Sequence, residues 1–354
     1  MSKFKDYLKK QADQIRSELT TFIKQQPLGS STLPWNISSQ LAQFAVSGKL
    51  VRGSLVLLGY EAFVDKVNST ENALKAAMAV ELAHSALLIQ DDIMDQDQKR
   101  RGQLTIHEQN RQTGSKLSAA DEQLYGYAAA ICSADLLFFW ACQLLNQAQM
   151  SQETKQQLLA EFSQNMINTV WGQIDDVNLS MLEIEAEKQD IVNVLVNKTA
   201  RYTLVNPLLC GAILAGASQD RLSQLETFAQ ELGVVFQIKD DELSLLGEES
   251  KIGKSVGNDI AENKQTLHRY LLFERADSKD RKRLSRIFGS KQPAAADLAF
   301  VREKLDQYQV LSAVQAEVGQ RLEIAAEALT NLQLSPGHRR MFESLVEFIT
   351  NRDH

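Results

Sequence analysis

The chain has 354 residues, 44% of them hydrophobic, and a formal net charge of −7. That is enough apolar material for a sizeable core, and the acidic balance removes any global electrostatic case for nucleic-acid binding. Five prolines and seventeen glycines in all, with neither between Tyr60 and Arg101, argue against a turn-rich sheet protein and for long helices.

The opening stretch, MSKFKDYLKKQADQIRSEL, is amphipathic and heavily charged, so neither a signal peptide nor a membrane span is expected there. From it onward apolar residues recur every three or four positions, and long alternating runs are absent. This predicts helices over residues 3–25, 37–65, 71–96, 118–147, 152–179, 187–215, 219–246, 262–287, 297–329 and 336–351. Loops are expected at QQPLGSS and LPWN, at NRQTGSK (110–116), and at 247–258 and 288–297, where Gly, Ser, Asn and Pro gather. None is a long polar linker. The expectation is therefore an all-α protein, one large helical bundle over residues 1–354 with a central cavity, and residues 1–44 as a helical extension packed on it. There is no self-similarity at solenoid periods. Cys132, Cys142 and Cys210 lie in apolar surroundings without a CxxC spacing, which suits reduced core thiols in a soluble, cytoplasmic chain with no integral membrane segment.

Chemistry first becomes visible at LLIQDDIMDQDQKRRGQLTIH (87–107). Asp91 and Asp95 are one turn apart on a helix, Asp92 lies beside them, and the helix C-terminus adds further negative potential. Either this is a solvated helix end, or the acids hold a divalent metal. Mg²⁺ takes hard oxygen ligands, commonly one or two carboxylates plus phosphate oxygens. The Arg100-Arg101-Gly102 that follows offers planar guanidinium forks suited to phosphate. His84 lies two turns before Asp91, roughly 10 Å along the same face.

A second apolar run ending in acids follows at ELGVVFQIKDDELSLLG (231–247), with Asp240 and Asp241. Behind it comes a glycine-punctuated loop, SKIGKSVGNDIAENKQT, with Lys254, Asp259 and Lys264. In between, WGQIDD puts Gln173 and Asp176 one turn apart, and VNKTARY sets Lys198 and Thr199 in mid-helix. Lys198, flanked by Val196, Ala200 and Leu204, either reaches into a polar cavity or snorkels to the surface. Two acidic helix ends, each followed by cations, fit one anionic substrate bridged by metal ions.

Five ordered motifs resemble those of the trans-isoprenyl diphosphate synthases, or polyprenyl synthetases, over most of the chain from about residue 45. SGKLVRG (47–53) is similar to the family's GGKRxRP, and residues 81–107 to its first aspartate-rich region. GQIDD (172–176) is similar to GQxxD, NKTARY (197–202) to the lysine-threonine helix, and residues 236–266 to the second aspartate-rich region with its lysine loop. LVEFITNR (345–352) also looks like the family's last helix. The resemblance implies an all-helical isoprenoid-synthase fold, two to three Mg²⁺ ions, a homodimer, and transfer of isopentenyl diphosphate onto an allylic prenyl diphosphate.

By the same resemblance Asp91, Asp92, Asp95, Asp240 and Asp241 would hold Mg²⁺, with Asp259 behind them. Arg100, Lys198, Lys254 and Lys264 would contact the allylic diphosphate. Lys49, Arg52, His84 and Arg101 would hold that of isopentenyl diphosphate, and Thr199 and Gln237 would place oxygens near a developing cation. No nucleophilic Ser or Cys and no general-base His is needed, and none is conspicuous. The chain departs from the pattern at Leu50 (first arginine), Gly53 (proline), Gln90 (histidine) and Ser244 (third aspartate of the second motif).

In that family bulky aromatics four or five positions before the first aspartate close the product tunnel early. Here those positions are Leu87 and Ala86, with Ala83 a turn further down, which points to products longer than farnesyl and first to geranylgeranyl (C20). A longer-chain polyprenyl synthase also fits Ala86. Two other classes compete. A cyclase or head-to-head synthase has no use for the Lys49/Arg52 pair and Arg-Arg-Gly. A catalytically silent subunit of a heteromeric synthase would be expected to lose aspartates, of which five of six remain.

Overall fold

A computed structural model describes residues 3–26, 37–66, 69–181, 186–246, 258–290 and 292–351. It is helical, as the apolar periodicity dictates: the described residues form helices and one two-residue β-ribbon. By packing they divide into two compact units. One holds Lys3–Leu159 with Cys210–Ala217, the other Ala160–Leu209 with Ser218 onward.

In the first unit α1 (Lys3–Gln25) turns one apolar face inward through Phe4, Leu8, Ile15, Leu19 and Ile23. The expected helix over 37–65 is two, α2 (Ile37–Val46) and α3 (Val51–Phe63), bent by 58° at the SGKL stretch. Leu50 takes a left-handed φ of 51° there, which no helix interior tolerates. The long α4 (Glu71–Met94) packs on α1, α3 and α6 (Glu122–Gln147). Its fully buried Leu82 and Ile89 each contribute about 2 kcal/mol of apolar burial. After α4 the chain makes a ribbon, β1 (Lys99–Arg100) and β2 (Gln103–Leu104). Arg101 and Gly102, at φ 52° and 75°, form its two-residue turn, as a type I′ hairpin requires. The stretch expected as a loop at 110–116 belongs instead to α5 (Ile106–Lys116), which buries Ile106, His107 and Asn110 and packs on α6.

The second unit is arranged on α10 (Gln219–Leu246). The expected helix over 187–215 is a composite: α8 (Lys188–Val194), a π-helix (Leu195–Val205) and α9 (Asn206–Leu214), whose last residues lie in the first unit. A short α11 (Asn258–Ala261) precedes the expected helix over 262–287, which is itself interrupted, giving α12 (Leu267–Arg275) and α13 (Ser278–Ile287). Asp277 caps α13 by accepting the Lys279 and Asp280 N–H groups. A left-handed Gln309 divides α14 (Ala295–Gln307) from α15 (Val310–Asn331), and α16 (Pro336–Thr350) follows. α10 packs on the π-helix, α15 and α16, with the Phe228 and Phe342 rings 5.4 Å apart in the core. The long α7 (Gln152–Met181) begins in the first unit and continues in the second.

By length and composition alone α4 and α6 are each apolar enough to cross a bilayer; 67% of that window in α4 is buried within the protein, and 39% in α6. The uncovered part of α6 includes Leu124, Ile131, Leu136 and Phe139, and Cys132 and Cys142 on this helix are exposed rather than in the core, whereas Cys210 is buried. In the second unit α7 exposes a helical stripe of Ile167, Val170, Trp171 and Ile174.

Candidate active site

The apolar run of α4 carries Asp91 and Asp92 into its last turn, and Asp95 closes the helix as its C-cap. Asp92 is completely buried. It is met by Arg100 of β1, whose Nε donates to Asp92 Oδ1 and whose Nη2 lies 3.6 Å from Asp91 Oδ2 and 3.5 Å from Asp97 Oδ2. Burial nevertheless pushes the Asp92 carboxyl up to about 6, against the pull of Arg100. Its second oxygen has no hydrogen-bond partner. Three carboxylates, one of them half-satisfied and desolvated, form a hard-oxygen donor set.

Two turns back, His84 is buried, with Arg52 Nη1 3.1 Å from its Nε2. Burial, reinforced by Arg52, Arg101 and Arg100, holds this imidazole well below its ordinary range, so it is neutral and accepts the Arg52 proton. The I′ turn brings Arg101 back to α2, where Nη1 donates to Ser47 Oγ over 3.0 Å. Lys49 is exposed in the bend between α2 and α3. A cavity of about 400 Å³ lined by Gln40, Phe44, Ser47, Arg100, Arg101 and Gln109 opens beside these cations. Lower on α4, Ala83 and Ala86 are buried and Leu87 half-buried.

The second unit has its own cluster. Asp241 on α10 is buried and Asp240 exposed. Gln237, one turn earlier, donates from Nε2 to Asp241 Oδ1 (2.7 Å), and its Oε1 accepts the Thr199 hydroxyl (3.0 Å). Burial pushes Asp241 well above the carboxylate range, and the charge of Asp259 pushes the same way. Lys264 lies 3.8 Å from Asp259 and 3.9 Å from Glu262. Thr199 and Lys198 sit in the π-helix, a distortion frequent at functional sites. Lys198 Nζ is 2.5 Å from Asp176 Oδ2. The helices can approach this closely because residue 172 is glycine: a Cβ there would stand 2.3 Å from the Lys198 backbone nitrogen. Lys254 lies outside the described residues, and Ser244 is half-buried in the last turns of α10.

Within the first unit the expected residues converge as two groups along α4, the acids with Arg100 and, below them, Arg52, His84 and Arg101. Within the second, Thr199, Gln237 and Asp241 form one hydrogen-bonded chain, Lys198 pairs with Asp176, and Lys264 lies beside Asp259. Among the described residues no group of three or more Asp, Glu, His or Cys side chains is gathered closely enough to hold a metal ion by itself. Sequence reasoning gave no role to Asp97, to Asp176 or to the buried Glu81. Asp97 could be read only as a spare acid near the arginines, Asp176 only as the acid of the GQIDD motif, and Glu81 only as a charge inside an apolar run.

A family model described as "Polyprenyl synthetase" matches residues 36–305. A short chain isoprenyl diphosphate synthase of Methanothermobacter thermautotrophicus is 31% identical over 310 residues, covering 87% of each chain. A geranylgeranyl diphosphate synthase of Sulfolobus acidocaldarius is 28% identical, covering 87% of this chain and 86% of its own. Among solved structures, a geranylgeranyl pyrophosphate synthase from Corynebacterium glutamicum, complexed with isoprenyl diphosphate and magnesium, superposes with a TM-score of 0.90. It is 26% identical, and the match covers 98% of this chain and 99% of that one.

Proposed function

The chain belongs to the polyprenyl synthetase family and is a prenyltransferase that elongates prenyl diphosphates, and from that premise we propose a Mg²⁺-dependent head-to-tail synthase making geranylgeranyl diphosphate (C20). The observation that carries this reading is the α4 helix end: buried Asp92, with one oxygen unpartnered, set among Asp91, Asp95 and Arg100, with Arg52, His84 and Arg101 below it. Acids for a metal beside two groups of cations suit two diphosphates, not one.

Asp91, Asp92 and Asp95, with Asp240 and Asp241, would hold Mg²⁺, which when bound neutralises charge on the departing diphosphate. Arg100, Lys198, Lys264 and Lys254 bind the allylic diphosphate, so its C–O bond breaks in a field prepared for the leaving group. Lys49, Arg52 and Arg101 bind the diphosphate of isopentenyl diphosphate, with neutral His84 keeping Arg52 in place. Thr199 and Gln237 present oxygen lone pairs to the allylic cation. The isopentenyl double bond then attacks that cation, a carbon–carbon bond forms, and a proton leaves to the released pyrophosphate. The side chains exclude water and orient charge; none is consumed.

Support for C20 is the small, buried pair Ala83 and Ala86 below the acids. Incubation with farnesyl diphosphate, labelled isopentenyl diphosphate and Mg²⁺, followed by chromatography of the dephosphorylated products, should give a single C20 band. A ladder would mean a longer-chain synthase, and no incorporation from any allylic starter would sink the reading. Ala86→Phe should shorten the product, and unchanged length would remove Ala86 from the tunnel. We also place the enzyme in the cytoplasm as a homodimer. The exposed Leu124, Ile131 and Phe139 of α6 support a covered face. Sedimentation should give twice the chain mass without detergent, and a monomer would oppose it.

A further inference from the structure

Glu81 is a buried acid, 3% exposed in the middle of α4, which the chemistry above does not use. A lone buried carboxylate costs several kcal/mol, so its partners explain its presence. Its Oε1 accepts the Gly53 backbone N–H at 2.7 Å, and the Arg52 backbone N–H also reaches the carboxylate. These belong to the first turn of α3, which has no side-chain cap of its own and follows the left-handed Leu50. The first turn of a helix leaves N–H groups without intrahelical acceptors. Glu81 supplies an acceptor from a different helix, twenty-eight positions away in sequence.

Arg52 is thus gripped at both ends by one face of α4. Glu81 takes its backbone N–H, and His84, three residues on, contacts its guanidinium at 3.1 Å. The grip needs glycine at 53. A Cβ there would lie 2.9 Å from Ile15 Cδ1 and 3.0 Å from Glu81 Cγ. The proline usual at this position in the family would have no N–H to donate.

The geometry assigns Glu81 as a positioning residue for the isopentenyl diphosphate half of the site, capping α3 so that Arg52 is held against His84 for its phosphate. This rests on the function proposed above. A positioning role moves the KM for one substrate, whereas a merely structural role lowers stability and the amount of active enzyme.

The test is steady-state kinetics of wild type, Glu81→Ala, Glu81→Gln and Gly53→Pro with Mg²⁺, varying isopentenyl diphosphate and farnesyl diphosphate in turn. Glu81→Ala should raise the KM for isopentenyl diphosphate about tenfold or more, the scale of a lost charged hydrogen bond. The KM for farnesyl diphosphate and kcat should stay near wild type. Glu81→Gln keeps an acceptor and should recover most of the loss. Gly53→Pro deletes one donor and sets a ring against Ile15 and Glu81, so it should raise the same KM too, and it carries the test if Glu81→Ala does not fold. An unchanged KM for isopentenyl diphosphate in all three variants, or a fall in kcat alone, overturns the assignment. If wild type itself incorporates no isopentenyl diphosphate, the underlying function fails and takes this role with it.

Discussion

On α4 the buried aspartate, Asp92, carries its counter-ion in Arg100; on α10 the buried aspartate, Asp241, is met by the amide of Gln237, while Lys264 sits with Asp259. The same residue type at the end of the same kind of helix is therefore given two different electrostatic settings. Asp92 is a standing anion at neutral pH, its carboxyl near 6 despite complete burial. Asp241 is pushed well above the ordinary carboxylate range, by burial first and by the charge of Asp259 in the same direction. A helix that ends in adjacent aspartates does not by itself fix their charge; the neighbour three to eight residues away does.

The largest effect should come from the standing anion. Asp92→Asn leaves Arg100 facing an amide and should lower kcat/KM by about 10²–10³-fold, as removal of one preorganised electrostatic group does elsewhere. Asp241→Asn breaks no ion pair, since an amide rather than a cation meets that side chain, and should cost about tenfold. Equal losses in single-turnover assays would erase the distinction.

Next comes pH. His268, in the second unit, is completely buried with both ring nitrogens lacking hydrogen bonds, and burial lowers it to about 4. The unfolded imidazole, near 6.5, binds a proton through the window in which the folded one does not. Stability from this group is therefore present above about pH 6.5 and is lost as pH falls toward 4, by at most about 1.4 kcal/mol per pH unit. Asp92 has the opposite sign. Its folded carboxyl takes a proton near 6 while the unfolded one waits until about 4, so acidification through that window favours the folded state. Urea unfolding at pH 7 and pH 5 should show His268→Leu losing less stability on acidification than wild type, and Asp92→Asn losing more. Parallel shifts in both variants would contradict the signs.

The smallest effect is expected at residue 244. Ser244→Asp restores an acid one turn beyond Asp240 and should tighten Mg²⁺ activation by less than about tenfold, since a partly exposed charge contributes about 1 kcal/mol or less. A titration that does not move would mean that side chain lies outside the metal's reach.

Much of this could be read from residue types. The apolar period gave α1, α4, α6, α7, α10 and α16, because each buries a face long enough to register. It ran through the breaks at Leu50 and Gln309, since the left-handed conformations there belong to residues that do not advertise them. The break before α13 did have a signal, the N-capping Asp277, which continuing apolar residues concealed. α5 was hidden for the converse reason. NRQTGSK has weak helix propensity, and packing on α6 supplies what propensity does not. At the site, the acids and cations were legible as charges out of place in apolar helices. Their pairings were not: Arg100 with Asp92, Lys198 with Asp176 and Glu81 with Gly53 join residues separated by eight, twenty-two and twenty-eight positions. The π-helix that carries Lys198 and Thr199 left no trace in the apolar period.

Arg100 can serve Asp92 or a phosphate, but it cannot give both its full charge. Whatever takes over Asp92 makes that guanidinium available, and a phosphate that engages the guanidinium leaves Asp92 more receptive to a cation. Thermodynamic linkage then requires each ligand to raise the affinity for the other by the same factor. Neither need come first, and each alone should bind weakly. Under the function proposed above, the end of α4 would act as a coincidence detector for metal and diphosphate, with its threshold set by one internal ion pair.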